Sequence, residues 1–276
     1  MTLGRRSAVG FVGGGRITSA LAAGLRLSDD RREIVVYDRH PEKLRALRRE
    51  SQVEVARDLK SAVERAGMLV VAVRPNSVAE VLGEVAACGA TPGLCVSLAA
   101  GVPLENLRTG LPHARWVRAM PSPVCRMACG LTAVCFDHDV RKGERSRVRS
   151  LFQRVGQVVE IPEKQFDAYT ATFSSSHGYH ALATLAKAAQ RAGMSGEIAL
   201  RCAAHALCDG IIYWRESGLS LDDLLREAAT PGGTAAATMD TMDKAGYARV
   251  VAKGLAAGIG RARRNATSGA KARIVR

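Results

Sequence analysis

Apolar positions along this chain follow two rhythms, and the change from one to the other falls near residue 162. Residues 7–13 alternate apolar and small side chains and end in glycine, the pattern of a strand running into a turn. Residues 16–27 take up helical spacing, and Glu33-Ile34-Val35-Val36-Tyr37-Asp38 reads as a second strand. Pro41 opens a helix through Arg49, and another helix covers about 58–66. Met68-Leu69-Val70-Val71-Ala72-Val73 is an unbroken apolar run, as a parallel strand buried on both faces requires. Ser77 to Cys88 reads as a helix and 94–98 as a strand. A strand near 114–119 and a pair near 131–136 and 157–161 complete the set. This alternation predicts an α/β fold, a Rossmann-type doubly wound parallel sheet.

After Pro162 the strand rhythm stops. Residues 166–192, 195–216, 221–227 and 235–264 read as helices, broken at Gly193, Gly218 and Pro231-Gly232-Gly233. The expected division is a dinucleotide-binding domain over 1–162, an all-helical domain over 163–264, and a basic, disordered tail over 265–276. The alanine-rich helices carry more apolar face than about 100 residues bury alone, which predicts a homodimer or an oligomer of dimers. Tyr213 and Trp214 are expected to pack between helices.

Composition narrows the class. The 276 residues are 47% hydrophobic but only 4% aromatic, so the core must be built mostly from Ala, Val and Leu. No run of about 18 apolar residues occurs, so no membrane helix is expected. Residues 1–6 lead into a strand rather than an apolar signal region, and the expected location is cytoplasmic. The seven cysteines are scattered without a C-x-x-C pair, so no metal site is expected. The net charge is +14. The basic residues are spread along the chain, clustering only over 261–276, with no nucleic-acid motif or aromatic stacking surface. A nucleic-acid partner is not expected, though the charge favours anionic cofactors and substrates.

Two glycine-rich segments carry the candidate chemistry. In Gly10-Phe11-Val12-Gly13-Gly14-Gly15, Gly13 permits the tight strand-to-helix turn. Gly15 lets backbone N–H groups approach a pyrophosphate, with Gly14, Arg16 and Ile17 alongside. Thr18 replaces the usual third glycine. Asp38 ends the second strand, where a carboxylate takes ribose hydroxyls and favours NADH. Arg39 beside it would suit the 2′-phosphate of NADPH, and the sequence does not choose between them. Near the other end, Thr230-Pro231-Gly232-Gly233-Thr234 exposes successive N–H groups without Cβ atoms, a cradle suited to a substrate carboxylate.

These segments, with three more blocks in the same order, resemble the pyrroline-5-carboxylate reductase family from Val9 to about Gly260. Ala72-Val73-Arg74-Pro75 is similar to its A-V-K-P segment near the nicotinamide. Val96-Ser97-Leu98-Ala99-Ala100-Gly101-Val102 is similar to its S-I-A-A-G-V strand end. Arg118-Ala119-Met120-Pro121 matches R-x-M-P, and the 230–234 block resembles S-P-G-G-T. The resemblance implies a Rossmann domain and a helical dimerisation domain whose copies interleave, with the active site at the dimer interface. It implies NADPH or NADH held by the glycine loop, Val73, Arg74, Pro75, Ala99, Ala100, Met120 and Pro121. A small cyclic imine carboxylate would be held by Gly232, Gly233, Thr234 and Ala235, with Ser122 and Ser175 nearby. The chain departs from the family at this end. M-P-N-T-P becomes Met120-Pro121-Ser122-Pro123-Val124, S-G-S-G-P-A-Y becomes Phe173-Ser174-Ser175-Ser176-His177-Gly178-Tyr179, and the second threonine of S-P-G-G-T-T becomes Ala235.

Imine reduction needs a hydride on carbon and a proton on nitrogen, and placement at about 3–3.5 Å supplies most of the catalysis. His177 is the leading proton donor, in a pocket that has lost the threonine hydroxyl, with a capping or core role as its plain alternative; His180 is a weaker choice. Ser176 is a second catalytic candidate, and it and Ser175 equally suit substrate binding or helix capping. A hydroxyacid or carbonyl dehydrogenase on the same scaffold, and a non-catalytic dinucleotide-binding protein, both stay open.

Overall fold

The computed structural model describes residues 8–271. It forms two compact units, one running from the first strand through Phe173 and taking the chain back from Gly258, the other spanning Ser174–Ala257.

In the first unit, β1 (Ala8–Val12), α1 (Arg16–Leu27), β2 (Ile34–Tyr37), α2 (Pro41–Ser51), β3 (Glu54–Val55), α3 (Leu59–Arg65) and β4 (Ala66–Val71) follow one another. Next come α4 (Val78–Ala87), β5 (Leu94–Ser97), α5 (Leu104–Gly110) and β6 (Arg115–Pro121). The unit continues with β7 (Gly130–Phe136), α6 (Lys142–Gln153), β8 (Gly156–Glu160) and α7 (Glu163–Thr172). The eight strands form one sheet in the order β3-β2-β1-β4-β5-β6-β7-β8. Pairing is parallel from β3 through β6. It turns antiparallel between β6 and β7, and β8 is again parallel to β7. The doubly wound sheet is as expected, and the β6–β7 pair alone departs from its parallel pairing, for a physical reason. Residues 122–129 are too short for a crossover, which takes a dozen or more residues, so the chain must turn back on itself. The sheet core is apolar on both faces: Val9, Phe11, Val36, Val70, Val96 and Val117 on one, Leu69, Val71, Cys95, Trp116 and Ala133 on the other.

The helical unit holds α8 (Ser176–Arg191), α9 (Gly196–Ser217), α10 (Leu221–Ala228), α11 (Thr234–Lys244) and the start of α12 (Tyr247–Lys271). Two of the four expected helices are each two. The run over 166–192 breaks at Phe173–Ser175, where the Ser174 hydroxyl accepts from the Ser176 N–H at 3.4 Å and α8 begins. The run over 235–264 breaks at Gly246, whose φ of +84° no helix accommodates. α12 continues through Lys271, so the first part of the tail expected to be disordered is helical; 272–276 lie outside the described residues. From Gly258 on, α12 packs on the first unit. Its Ala262 carbonyl lies where a Cβ on Gly101 would come within 2.0 Å.

Candidate functional site

β1, β2 and β4 end at a common edge of the sheet, and a cavity of about 1180 Å³ opens there. Three glycines shape its floor, each for a different reason. Gly13 has φ +109°, and a Cβ there would meet the Ala72 carbonyl at 2.5 Å, so the turn out of β1 admits no side chain. Gly14 packs on Leu47 and gives its N–H to Asp38 Oδ2 at 2.7 Å. Gly15, at the head of α1, would meet nothing within 4 Å. The protein's own packing does not require a glycine there, so its open side is available to a ligand. The N–H groups of the first turn of α1 face outward beside it with no side-chain cap. Thr18 donates its hydroxyl to the Gly13 carbonyl at 2.6 Å, pinning the turn where the usual third glycine would bring helix and strand together.

Asp38 sits at the edge of this floor with its side chain 9% exposed. Burial pushes its carboxyl pKa up. Hydrogen bonds from the Gly14 N–H and from the His40 ring and backbone, with Lys43 beside it, outweigh that and hold it below the usual carboxylate range. Arg39 forms ion pairs with Glu84 and with Glu80, the latter at 3.0 Å, so its guanidinium is held by α4. Gly13, Gly14, Gly15, Arg16, Ile17, Asp38, Arg39, Val73 and Arg74 all line the cavity. Pro75, Ala99, Ala100, Met120 and Pro121 lie outside its lining, at or just beyond the ends of β4, β5 and β6. Arg118 of the R-x-M-P block is buried, paired with Glu163 at 3.1 Å and lying 4.3 Å over the Phe166 ring, so it fastens β6 to α7. Sequence reasoning missed Lys43 and Arg126, which also line the cavity. Lys43 had a signal, a cation in the first turn after β2; Arg126 had none.

Ser122 is buried, and its hydroxyl accepts from the Val124 N–H at 3.2 Å, which caps the short 3-10 turn Pro123–Met127. In the helical unit, Ser174 and Ser176 hydroxyls lie 2.6 Å apart. The residue preceding α8 is Ser175, whose side chain makes no capping bond, rather than the Ser176 expected to cap. His177 is exposed in the first turn, its N–H on the Ser174 carbonyl at 3.0 Å, and His180 is exposed a turn later. Pro231 and Gly232 occupy the middle of a turn closed by the Gly233 N–H on the Thr230 carbonyl at 2.9 Å. Gly232 has φ +76°, as the third position of a type II turn demands. Gly233 then precedes α11 without a side-chain cap. The N–H groups at the start of α11, Thr234 and Ala235 among them, are left pointing at solvent. Tyr213 and Trp214, expected to pack between helices, are 56% and 47% exposed in this chain because they sit on an uncovered face of α9.

Among the described residues no cluster could hold a metal ion. A Rossmann sheet with an uncapped glycine loop, a carboxylate ending β2 and a separate helical unit defines a nicotinamide-dinucleotide oxidoreductase, and the residues present fit that cofactor. Comparison with known proteins makes the class particular. Residues 8–101 match the family model described as NADP oxidoreductase coenzyme F420-dependent, and residues 163–265 match the one described as pyrroline-5-carboxylate reductase dimerisation. The pyrroline-5-carboxylate reductase of Synechocystis sp. is 30% identical over 245 residues, covering 87% of this chain and 91% of the relative. The chain belongs to the pyrroline-5-carboxylate reductase family. Two solved structures share the fold. The pyrroline-5-carboxylate reductase from Coxiella burnetii has a TM-score of 0.84 at 24% identity, covering 94% of this chain and 98% of that one. The Plasmodium falciparum pyrroline carboxylate reductase with NADP bound has a TM-score of 0.83 at 19% identity, covering 95% and 99%.

Proposed function

We propose that this enzyme reduces a cyclic imine carboxylate, 1-pyrroline-5-carboxylate, to the cyclic amino acid proline. The observation that carries the reading is the turn at Thr230–Gly233 running uncapped into α11: a fixed set of backbone donors with no side chain of its own to satisfy them. In a family whose curated relatives are named for this imine, those donors suit its carboxylate. A nicotinamide dinucleotide held at the Gly13–Gly15 loop would supply the hydride. Thr234 and Ala235 N–H groups hold and orient the carboxylate, and His177 supplies the proton to the ring nitrogen, with Ser175 and Ser176 as further polar groups at the start of the same helix. A second copy of the chain covers the apolar face of α9, around Ile211, Ile212 and Trp214, as a homodimer. Free thiols at all seven cysteines favour the cytoplasm as the working compartment, and no helix among the described residues is long and apolar enough to cross a membrane.

A second reading keeps the chemistry and changes the imine. Ala235 removes a hydroxyl, and His177 adds a ring where the family has proline, so the pocket would suit a related substrate. Oxidation of NADPH and NADH, followed with pyrroline-5-carboxylate and with its six-membered homologue, tests both. Efficient turnover of pyrroline-5-carboxylate supports the first reading. Preference for the homologue, moved back by Ala235→Thr, supports the second. Turnover of neither would defeat both.

A further inference from the structure

The short turn Pro123–Met127 is held between α1 on one side and the start of β7 on the other. A Cβ on Gly24 of α1 would stand 1.9 Å from the Cys125 carbonyl, and one on Gly130 would stand 2.9 Å from the Cys125 nitrogen. Cys125 is fully buried between them. Its N–H donates to the Ser122 carbonyl at 2.9 Å, and Ala128, at φ +55°, donates to the Cys125 carbonyl at 3.0 Å. The next residue after this buried anchor is Arg126, and its side chain does not pack. It is exposed and reaches back to α1, where Nη1 stands 3.5 Å from Ser19 Oγ, at the long limit of a hydrogen bond. Arg126, Ser19 and Arg16 line the same cavity as Gly13–Gly15. Among the described residues Arg126 has no carboxylate within ion-pair distance, unlike Arg39, which Glu80 and Glu84 hold.

Position decides what this guanidinium faces. Ser19 lies one helical turn beyond Gly15 and donates its N–H to the Gly15 carbonyl. Arg126 comes from the turn after β6, whereas Asp38 and Lys43 come from the end of β2 and the start of α2. In the sheet order those two sources lie on opposite sides of β1. The ribose-recognising groups therefore stand on one flank of the glycine loop and Arg126 on the other. Resting on the dinucleotide reading of the cavity, we infer that Arg126 binds the cofactor's diphosphate, laying a planar, two-pronged donor across the anion already facing the α1 N-terminus. Because the turn is locked to α1, the backbone that carries Arg126 is in place before the ligand arrives, and the contact has only the side chain left to order.

Titration calorimetry of the full chain with ADP-ribose, NAD⁺ and NADP⁺ tests this without any imine. Arg126→Gln weakens binding of all three by the same factor, roughly 10- to 100-fold for a charge-assisted contact. The NADP⁺ to NAD⁺ ratio does not move, and the salt dependence of binding becomes shallower. Arg126→Lys restores part of the loss. The ligand-free melting temperature of Arg126→Gln stays at the wild-type value, since the side chain's contact with Ser19 is long and exposed. An unchanged ADP-ribose affinity overturns the assignment. So does a loss confined to NADP⁺, which would place the guanidinium at the 2′-phosphate instead. A wild-type chain that binds none of the three ligands defeats the dinucleotide reading itself, a result distinct from an insensitive Arg126.

Discussion

The two units of this chain finish their cores to opposite degrees. The Rossmann unit buries both faces of its central strands under its own helices, down to the indole of Trp116 and the rings of Phe11, Phe152 and Phe166. Among the described residues, the helical unit fully buries only Ala186, Ala199 and Ala203, and leaves Ile198, Leu200, Ile211, Ile212 and Tyr213 half-exposed or more. A sheet can be covered by helices from the same chain because each crossover delivers one to a face. A set of α-helices with apolar stripes on more than one side has no such local supply. The stability of the first unit is therefore a property of one chain, while that of the second depends on whatever covers α9.

The strongest way to break that contrast is to charge the open face. Ile212→Glu with Trp214→Glu places two carboxylates at the centre of a surface proposed to meet a second copy. Losses of 2 kcal/mol or more are usual for each buried anchor in such an interface. Self-association should weaken by about 100-fold or more, read by sedimentation velocity, and turnover should fall with it. Dinucleotide binding to the Rossmann unit should persist. A protein that stays fully associated would show that α9 is covered by something other than a second copy.

The converse test strikes the self-sufficient core. Gly24→Ala forces a methyl to within 1.9 Å of the Cys125 carbonyl, and neither α1 nor the locked turn can move away cheaply. Overpacking of this kind costs about 3 kcal/mol. Urea unfolding should show that loss in the first unit, with the association constant of the protein unchanged. Gly15→Asp makes the opposite pairing. Nothing lies within 4 Å of the added Cβ, so the fold should hold while dinucleotide affinity collapses by calorimetry.

The same contrast explains what the sequence made legible. The glycine loop, α1, and the strands β1, β2 and β4 follow from period-2 and period-3.6 patterns with Gly13 and Pro41 as punctuation, and Asp38 could be placed because it ends a strand. The two-residue β3 is shorter than any pattern. α6 was missed because Lys142–Gln153 buries only Val148, Leu151 and Phe152, too few to show a stripe amid so many charges. The direction of β7 is invisible to hydrophobicity, since a buried strand reads the same either way. Only the short 122–129 connection carried that information. Gly246 was a readable stop signal that the alanine-rich run around it obscured. Arg126 reaches the cavity through tertiary packing at Cys125, which no local pattern encodes.

The smallest expected effect concerns charge inside the first unit. Asp137 is buried to 4% exposure and accepts two hydrogen bonds from Arg108, at 2.7 and 2.8 Å, and one from the His138 N–H at 2.8 Å. Burial raises its carboxyl pKa, but those bonds win and the folded-state value lies below the ordinary one. A carboxyl with a lowered folded pKa stabilises the fold above its unfolded pKa, about 3.9. It loses that contribution as pH falls through the folded value. Asp137→Asn should therefore cost about 2 kcal/mol at pH 7, the worth of hydrogen bonds to a charged group. The gap to wild type should begin to narrow below about pH 4, where the unfolded chain takes up the proton, and close as pH falls through the lower folded value. Urea titrations at both pH values check it. Asp30, Asp38 and Glu144, also in the first unit, share the lowered direction, so acid should loosen that unit through several carboxylates at once. A mutant gap that stayed constant down to pH 3 would mean that the Asp137 side chain acts through shape rather than charge.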